Sequence, residues 1–405
     1  MKSFTYASAF AGIGGMTLGL KPLGGEGVIA WEYDSTEKRR QYAQDAHKLL
    51  HPSIPVHGDI CEANTDELPD FDVFCFTPPC QSFSVAGKRG GFDDTRGTLT
   101  FEALRIAKAK KPKILFMENV KGLVNHDKGN TMGTIIHAIN EIGYTVDFTV
   151  LNSKYFDVAQ NRERVYLIAV RDDLIMPEPW SGVKGTTMLP KAKKRYQEEG
   201  AKTFNFDWPE QTEVRKRLRD FLESEVDEKY YIDEEKTAKL VAQLEKTYPA
   251  VDERDPNMLG HIELKGHDAI RRVYSPTGQG PTGQGPTLTT MGGGHREPKI
   301  AEEVRPCLTP LREEKRQNGP RFKGNDAESH TITTQDRHGV AIGISPKYRI
   351  RKLTPTECLR LQSVSDDVID ALSTQFSDSR LYKFAGNGLT TNVITAIGER
   401  LLTYL

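Results

Sequence analysis

The chain has 405 residues, 37% of them hydrophobic and 27% charged, with a formal net charge of −1. That length supports a large core and more than one domain, and no apolar run approaches the ~20 residues needed to span a bilayer. A near-zero balance gives no hint of a polyanionic partner, although averages conceal segregation along a chain.

The opening MKSFTYASAF reads as a first strand, 4–10, and not as a leader, because a Gly-rich turn follows at once and no cleavage site fits. Phe10-Ala11-Gly12-Ile13-Gly14-Gly15 then opens a helix. Glycines in such a place let backbone approach a ligand closely, and a helix N-terminus favours negative charge. The pattern departs from a dinucleotide fingerprint, which calls for a third Gly where Thr17 stands. A second strand, 27–31, ends at Glu32, twenty residues past Gly12, the distance at which a carboxylate meets ribose hydroxyls in nucleoside-binding sheets. After a helix at 35–50, a third strand, 54–57, leads to Asp59, whose carboxylate can accept from an adenine amino group. Gly12, Gly14, Glu32 and Asp59 together point to an adenosine-type cofactor more than to a plain tight turn.

A fourth strand, 72–77, stops at Pro78-Pro79 and presents Cys80 to a polar, Gly-hinged loop holding Gln81, Ser84, Lys88, Arg89 and Arg96. A thiol is barely ionised at neutral pH, so reactivity needs a helix end, a cation or a proton acceptor nearby. A Pro-Cys pair alone is more often structural. A helix at 99–110 and a strand at 114–117 lead to Glu118. A carboxyl there can stay protonated and donate to a ring nitrogen, or it can cap a helix. A helix at 131–142 and a strand at 145–151 follow. Arg162 and Arg164 then alternate at the start of a strand, 165–170, so both face one way. They suit a carbonyl or phosphate, or an exposed ion pair with Glu163. Strands alternating with helices predict an α/β fold, a mainly parallel twisted sheet with helices on both faces and ligands beyond the strands' carboxyl ends.

Periodicity breaks near Pro177. The pattern predicts a catalytic and cofactor-binding domain over 1–176, a smaller irregular domain over 177–345, and a segment, 346–405, that returns to the first. The middle holds a charged helical stretch, 213–246, and a Gly/Pro/Thr-rich stretch, 274–345, with short β-like pieces at 288–290 and 331–334. Residues 205–256 carry fifteen Asp/Glu against nine Lys/Arg, whereas 265–350 carry fourteen Lys/Arg against nine Asp/Glu. That basic surplus lies among Gly, Thr, Gln and His, and charge alone leaves a groove-reading surface and a solvated loop about even. Pro276–Gly280 is repeated at Pro281–Gly285, which fits slippage in a tolerant loop. Thr354-Pro355-Thr356-Glu357 starts a helix with a capping-box acid, and a terminal helix runs over 390–405. Cys61, Cys75, Cys307 and Cys358 lack metal spacing and read as small buried hydrophobes in a reducing cytosol. His261-Ile262-Glu263 has the H-x-E form of a zinc deaminase, but no second Cys follows Cys80 at the needed spacing, so no metal is expected.

Taken together, FAGIGG, WEYD, GDI, PPCQSFSVAGKRGGFDDTRGTL, ENV, QNRER, RKLTPTECLRLQ and GNGLTTNVI closely resemble the DNA (cytosine-5) methyltransferases, the bacterial restriction-modification type in particular. The motifs stand in family order over 4–170 and 348–400. The resemblance implies an S-adenosylmethionine-dependent, Rossmann-like methyltransferase fold with a target-recognition domain in the middle. It implies that a cytosine is flipped out of double-stranded DNA, that Cys80 adds to carbon 6, and that S-adenosyl-L-methionine methylates carbon 5. Glu118 then matches the acid at ring nitrogen 3, and Arg162 and Arg164 the arginines near the carbonyl and the nucleophile. Phe10, Glu32, Tyr33, Asp59, Ile60, Pro79, Leu99 and Asn387 match the cofactor pocket. Gln81, Ser84 and Arg96 match a loop that closes over DNA. Arg271, Arg272, Gln279, Gln284, His295, Arg296 and Arg337 are candidate groove readers or phosphate contacts. The doubled PTGQG departs from the family pattern. The implied setting is a monomer in the bacterial cytoplasm, held at the nucleoid by DNA, without membrane. It acts either as an orphan methylase or beside a separate restriction endonuclease. The rivals are a transfer-RNA cytosine methyltransferase, which the long middle region disfavours, a non-catalytic DNA-binding regulator, and a nicotinamide-linked oxidoreductase.

Overall fold

The computed structural model describes residues 3–79, 99–181, 183–247, 258–261, 272–274, 299–300, 303–312, 320–325, 327–334, 337–344 and 347–405. They form two compact units, one of Met1–Arg215 with Cys358–Leu405 and one of Lys216–Glu357.

The first unit is built on a seven-stranded sheet. Its strands are β1 (Phe4–Ala9), β2 (Gly25–Trp31), β3 (Val56–His57), β4 (Val73–Phe76), β5 (Ile114–Val120), β6 (Tyr144–Asn152) and β7 (Glu163–Arg171). They lie in the order β3-β2-β1-β4-β5-β7-β6. All neighbours run parallel except β7, which is antiparallel to both β5 and β6. Apolar runs such as Val73–Phe76, buried at every position, suit strands covered on both faces.

Alternation along the strands sorts their side chains into two layers. Ala7, Phe74, Phe76, Leu115, Met117 and Leu167 face one layer, with Phe101 and Leu104 of α3 (Leu99–Lys110) and Ile135, Ile136 and Ile139 of α4 (Asn130–Glu141). Phe4, Tyr6, Val73, Cys75, Ile114 and Phe116 face the other, with Met16 and Leu20 of α1 (Gly15–Leu20). Val393, Ile394, Ile397 and Leu401 of the last helix, Thr391–Leu401, complete that second layer. Each such buried aliphatic side chain contributes about 1.5–3 kcal/mol. Gly19 makes the contact possible, since a Cβ there would meet Ile394 at 2.6 Å.

Several stretches differ from the sequence pattern. The helix expected over 35–50 is helical only at α2 (Tyr42–Leu50). Ahead of it, a side chain competes for the backbone: Glu37 accepts from the Tyr42 N–H at 3.1 Å, an N–H that a helix running through 35–50 would use. Residues 177–215 hold a helix, α5 (Met188–Glu198), and belong to the first unit. Trp180, Tyr196, Phe204 and Phe206 are buried in its two layers, and buried Asp147 accepts from Lys193, Phe206 N–H and Trp208. The helical stretch 213–246 contracts to α6 (Glu234–Thr247), preceded by 3-10 turns at Leu218–Phe221 and Glu228–Tyr230. Residues 331–334 are not a strand, and Cys61 is exposed, on a 3-10 turn, whereas Cys75, Cys307 and Cys358 are buried. The terminal helix stops at Leu401, followed by a 3-10 turn, Leu402–Tyr404.

In the second unit, β8 (Met258–His261), β9 (Arg272–Tyr274) and β10 (Lys299–Ile300) form one small sheet. The antiparallel strands β11 (Glu303–Cys307), β12 (Gly339–Ile344) and β13 (Lys347–Lys352) form another. Leu240 and Val241 pack with Cys307, Phe322, Ala341, Tyr348 and Ile350. Its ionic core is Arg351, which donates two hydrogen bonds of 2.7 Å to Glu357, both side chains fully buried. Glu357 also accepts from the Thr354 N–H while its own N–H reaches the Thr354 hydroxyl, the reciprocal capping box that the sequence indicates. Arg351→Met leaves that carboxylate charged and dry. Urea titration should show a loss of about 3–5 kcal/mol, part of which the double variant Arg351→Met/Glu357→Leu recovers.

Candidate active site

The parallel strands end along one edge of the sheet, and β7, running the other way, begins there: Arg164 pairs in register with Val120, the last residue of β5. Phe10, Glu32, Asp59, Pro79, Glu118 and Arg164 are therefore delivered to the same edge by different strands.

At its cofactor-like end the chain turns sharply after β1. Phe10, Gly12 and Gly14 have φ of 59°, 56° and 96°, a region that costs a non-Gly residue such as Phe10 energy. The turn is held by Ala11 N–H to the Trp31 carbonyl (3.0 Å), Gly12 N–H to Glu32 Oε2 (2.8 Å) and the Thr77 hydroxyl to the Phe10 carbonyl (3.0 Å). The glycines serve different ends. A Cβ on Gly12 would meet nothing within 4 Å, so open space adjoins it, whereas on Gly14 it would lie 2.2 Å from His51 Nε2. Burial, only partly offset by the Gly12 hydrogen bond, raises the Glu32 pKa. Tyr33 is 51% exposed, a large ring left in solvent beside that turn. Asp59 is half-buried and caps the next 3-10 turn through Cys61 N–H at 2.9 Å, and Ile60 is buried. Leu99 starts α3 half-buried, and Pro79 is exposed.

Glu118, 7% exposed, ends its strand with Oε1 3.2 Å from Arg164 Nε. Burial raises its pKa, against the lowering pull of Arg164 and then Arg162. Arg162 is buried just ahead of β7 and donates to the Gly388 carbonyl at 2.8 Å. Burial and the Arg164 charge press its pKa down, yet a guanidinium keeps its proton at neutral pH. Neither arginine pairs with the Glu163 carboxylate, which binds Lys121 at 2.8 Å. Gly388 follows Asn387, the exposed last residue of the helix Asp378–Asn387. Thus the catalytic-type carboxyl, both arginines and the Asn387–Gly388 turn come together. Cys80, Gln81, Ser84, Arg96, Arg271, Gln279, Gln284, His295 and Arg296 lie outside the described residues; of Arg272 only its place on β9 is described.

Sequence reasoning missed two supports of this edge. Buried Asn119 donates to the Pro78 carbonyl at 2.9 Å, tying β5 to the residues that lead into Cys80. Its signal was its place between Glu118 and Val120. His47 and His51, spaced one helical turn apart, pack edge to face at 4.9 Å behind Gly14.

The fold is that of a methyltransferase. A solved Dnmt2 methyltransferase from S. pombe superposes with a TM-score of 0.55 at 17% identity, covering 99% of each chain. A Dnmt2 mutant from Spodoptera frugiperda matches at 0.55 and 19%, over 99% of this chain and 100% of that one. The family model "C-5 cytosine-specific DNA methylase" matches residues 4–403, and the chain belongs to that family. It is 46% identical to the orphan methyltransferase M.SPBetaI of Bacillus phage SPbeta, over 100% of this chain and 99% of the relative. It is 34% identical to the type II methyltransferase M.HhaI of Haemophilus parahaemolyticus, over 98% and 93%. The protein is a C-5 cytosine DNA methyltransferase.

The imidazoles behind Gly14 give the fold a pH dependence of definite sign. Burial foremost, then the charge of the neighbouring ring for His47 and of Lys21 for His51, pushes both from 6.5 down to about 4. The unfolded chain takes up these protons first, so the stability they confer is complete above 6.5 and is lost as pH falls toward 4. Urea titrations across that window should show a decline of up to about 3 kcal/mol per ring, and a shallower one in His47→Leu.

Proposed function

We propose that the protein methylates a specific sequence in double-stranded DNA by extruding the target cytosine and attacking it with Cys80. The observation that carries this reading is the buried Glu118, its pKa raised by burial, beside Arg164 and Arg162, at the edge to which Asn119 ties the Pro78–Pro79 approach to Cys80.

The residues at the other end of the edge fit S-adenosylmethionine. Open space adjoins Gly12, Glu32 is steadied by the Gly12 N–H at a place suited to ribose hydroxyls, and exposed Tyr33 offers a ring face. Asp59, Ile60, Phe10, Leu99, Pro79 and Asn387 would complete the pocket. The cofactor supplies an electrophilic methyl group.

This chain's own residues prepare the acceptor. Carbon 5 of cytosine is a poor nucleophile. The Cys80 thiolate adds to carbon 6 while Glu118 donates its proton toward ring nitrogen 3, so the displaced electron pair makes carbon 5 enamine-like. The Arg164 and Arg162 cations face the ring carbonyl. After carbon 5 is methylated, its proton passes to water, the freed electron pair restores the ring double bond as the thiolate leaves with the electrons of the bond to sulfur, and the proton on nitrogen 3 returns to Glu118. Extrusion costs a few kcal/mol and is required because no side chain reaches carbon 6 inside a stack. Relatives at 46% identity are named both as orphan and as putative type II methyltransferases, so the enzyme acts either alone or beside a separate nuclease.

Bisulfite mapping of DNA from cells expressing the protein should reveal one methylated sequence motif, absent with Cys80→Ser, while the purified variant still binds cofactor. Methylation persisting in that variant would remove Cys80 as nucleophile. Glu118→Gln should slow single-turnover transfer by about 10²–10⁴-fold. The wild-type rate should also decline as pH rises through the elevated Glu118 pKa, a limb missing from the Gln variant.

A further inference from the structure

The loop ahead of α2 and the helix Asp378–Asn387 enclose an open cavity of about 530 Å³, lined by Lys38, Arg39, Arg40, Arg380 and Lys383 with one acid, Glu37. Glu37 binds Arg380 and Lys383, and Lys383 also reaches Asp34 at 2.7 Å. Arg40 pairs with Asp45 at 2.6 Å, and the guanidiniums of Arg40 and Arg380 lie over the Tyr42 ring at 4.9 and 3.7 Å. Five cations thus meet three acids, and two positive charges are left over. They reside on Lys38 and Arg39, exposed side chains that join no ion pair among the described residues. The acids and the ring hold three of the cations in fixed positions, so a ligand need order only the Lys38 and Arg39 side chains.

Both walls are rooted at the edge that carries the active site. The loop leaves β2 directly after Glu32 and Tyr33, and the helix ends at Asn387, next to the Gly388 carbonyl that Arg162 binds. Arg380 stands seven residues before Asn387, about 10 Å along the helix axis. None of the cavity's residues is among those assigned to the cofactor or to the chemistry. A duplex with its cytosine at Glu118, as proposed above, would lie across this edge and carry one negative charge per about 1.7 Å of axis.

We propose that the cavity is a phosphate site for the DNA flanking the target base, with Lys38 and Arg39 as its contacts. This rests on the DNA reading above and adds an anchor outside the middle region. The site binds backbone and reads no bases, so it contributes affinity and orientation without sequence choice.

The test uses the full chain and a duplex with long flanks around the methylated sequence mapped in cells. Lys38→Gln/Arg39→Gln should weaken binding at low salt. The slope of log K against log salt should become shallower by about 1.8 between ~50 and ~200 mM, two phosphate contacts' worth. Cofactor affinity, melting temperature and kcat at saturating DNA should stay at wild-type values, and Lys38→Arg/Arg39→Lys should retain the wild-type slope. Equal slopes and affinities for the Gln variant and wild type would overturn the proposal. A wild-type protein that neither binds nor methylates the duplex would instead indict the DNA reading itself.

Discussion

A carboxyl group buried at a strand end, with a guanidinium 3.2 Å away, is the interaction on which the rest of the site depends. In water Glu118 would be ionised and mobile; its place at the strand end opposes both. Burial raises its pKa, while Arg164 and Arg162 fix the group's position and limit how far its acidity falls. This balance requires the one reversed strand. With β7 parallel to its neighbours, Arg164 would start at the opposite edge, a full strand length from Glu118.

The same molecule uses buried charge in other ways. Arg351 and Glu357 are paired by two short hydrogen bonds, and Glu357 also takes the N–H of a helix start, so they specify structure. Asp147 is likewise saturated by Lys193, Trp208 and a backbone N–H. Glu118 differs because, in the proposed mechanism, the cations beside it also serve a bound ring. The contrast separates groups that hold the fold from groups proposed to act.

Much of this was legible in the sequence because strand ends carry their own punctuation. The apolar runs before Gly12, Glu32, Pro79 and Glu118 gave both the strands and the edge. Less legible was anything decided by a partner far along the chain. Residues 177–215 look irregular in isolation, and only Asp147 and the aromatic layer explain why Trp180 and Tyr196 are buried. The loop 34–41 has helical composition, yet Glu37 takes the Tyr42 N–H that a helix through 35–50 would use. Arg162 and Arg164 were grouped correctly by spacing, but their contact with a glycine carbonyl and with Glu118 depends on pairing that no local pattern reveals.

The helix Thr391–Leu401 seals one face of a sheet whose last strand ends at Arg171. Ribosomes emit roughly two hundred residues between those points, a delay on the order of tens of seconds. Throughout it, Phe4, Tyr6, Val73 and Phe116 lack their final cover, so a nascent chain displays a greasy wall to chaperones until the closing helix emerges. A chain cut short before Thr391 would therefore leave that apolar face open instead of giving a smaller working enzyme.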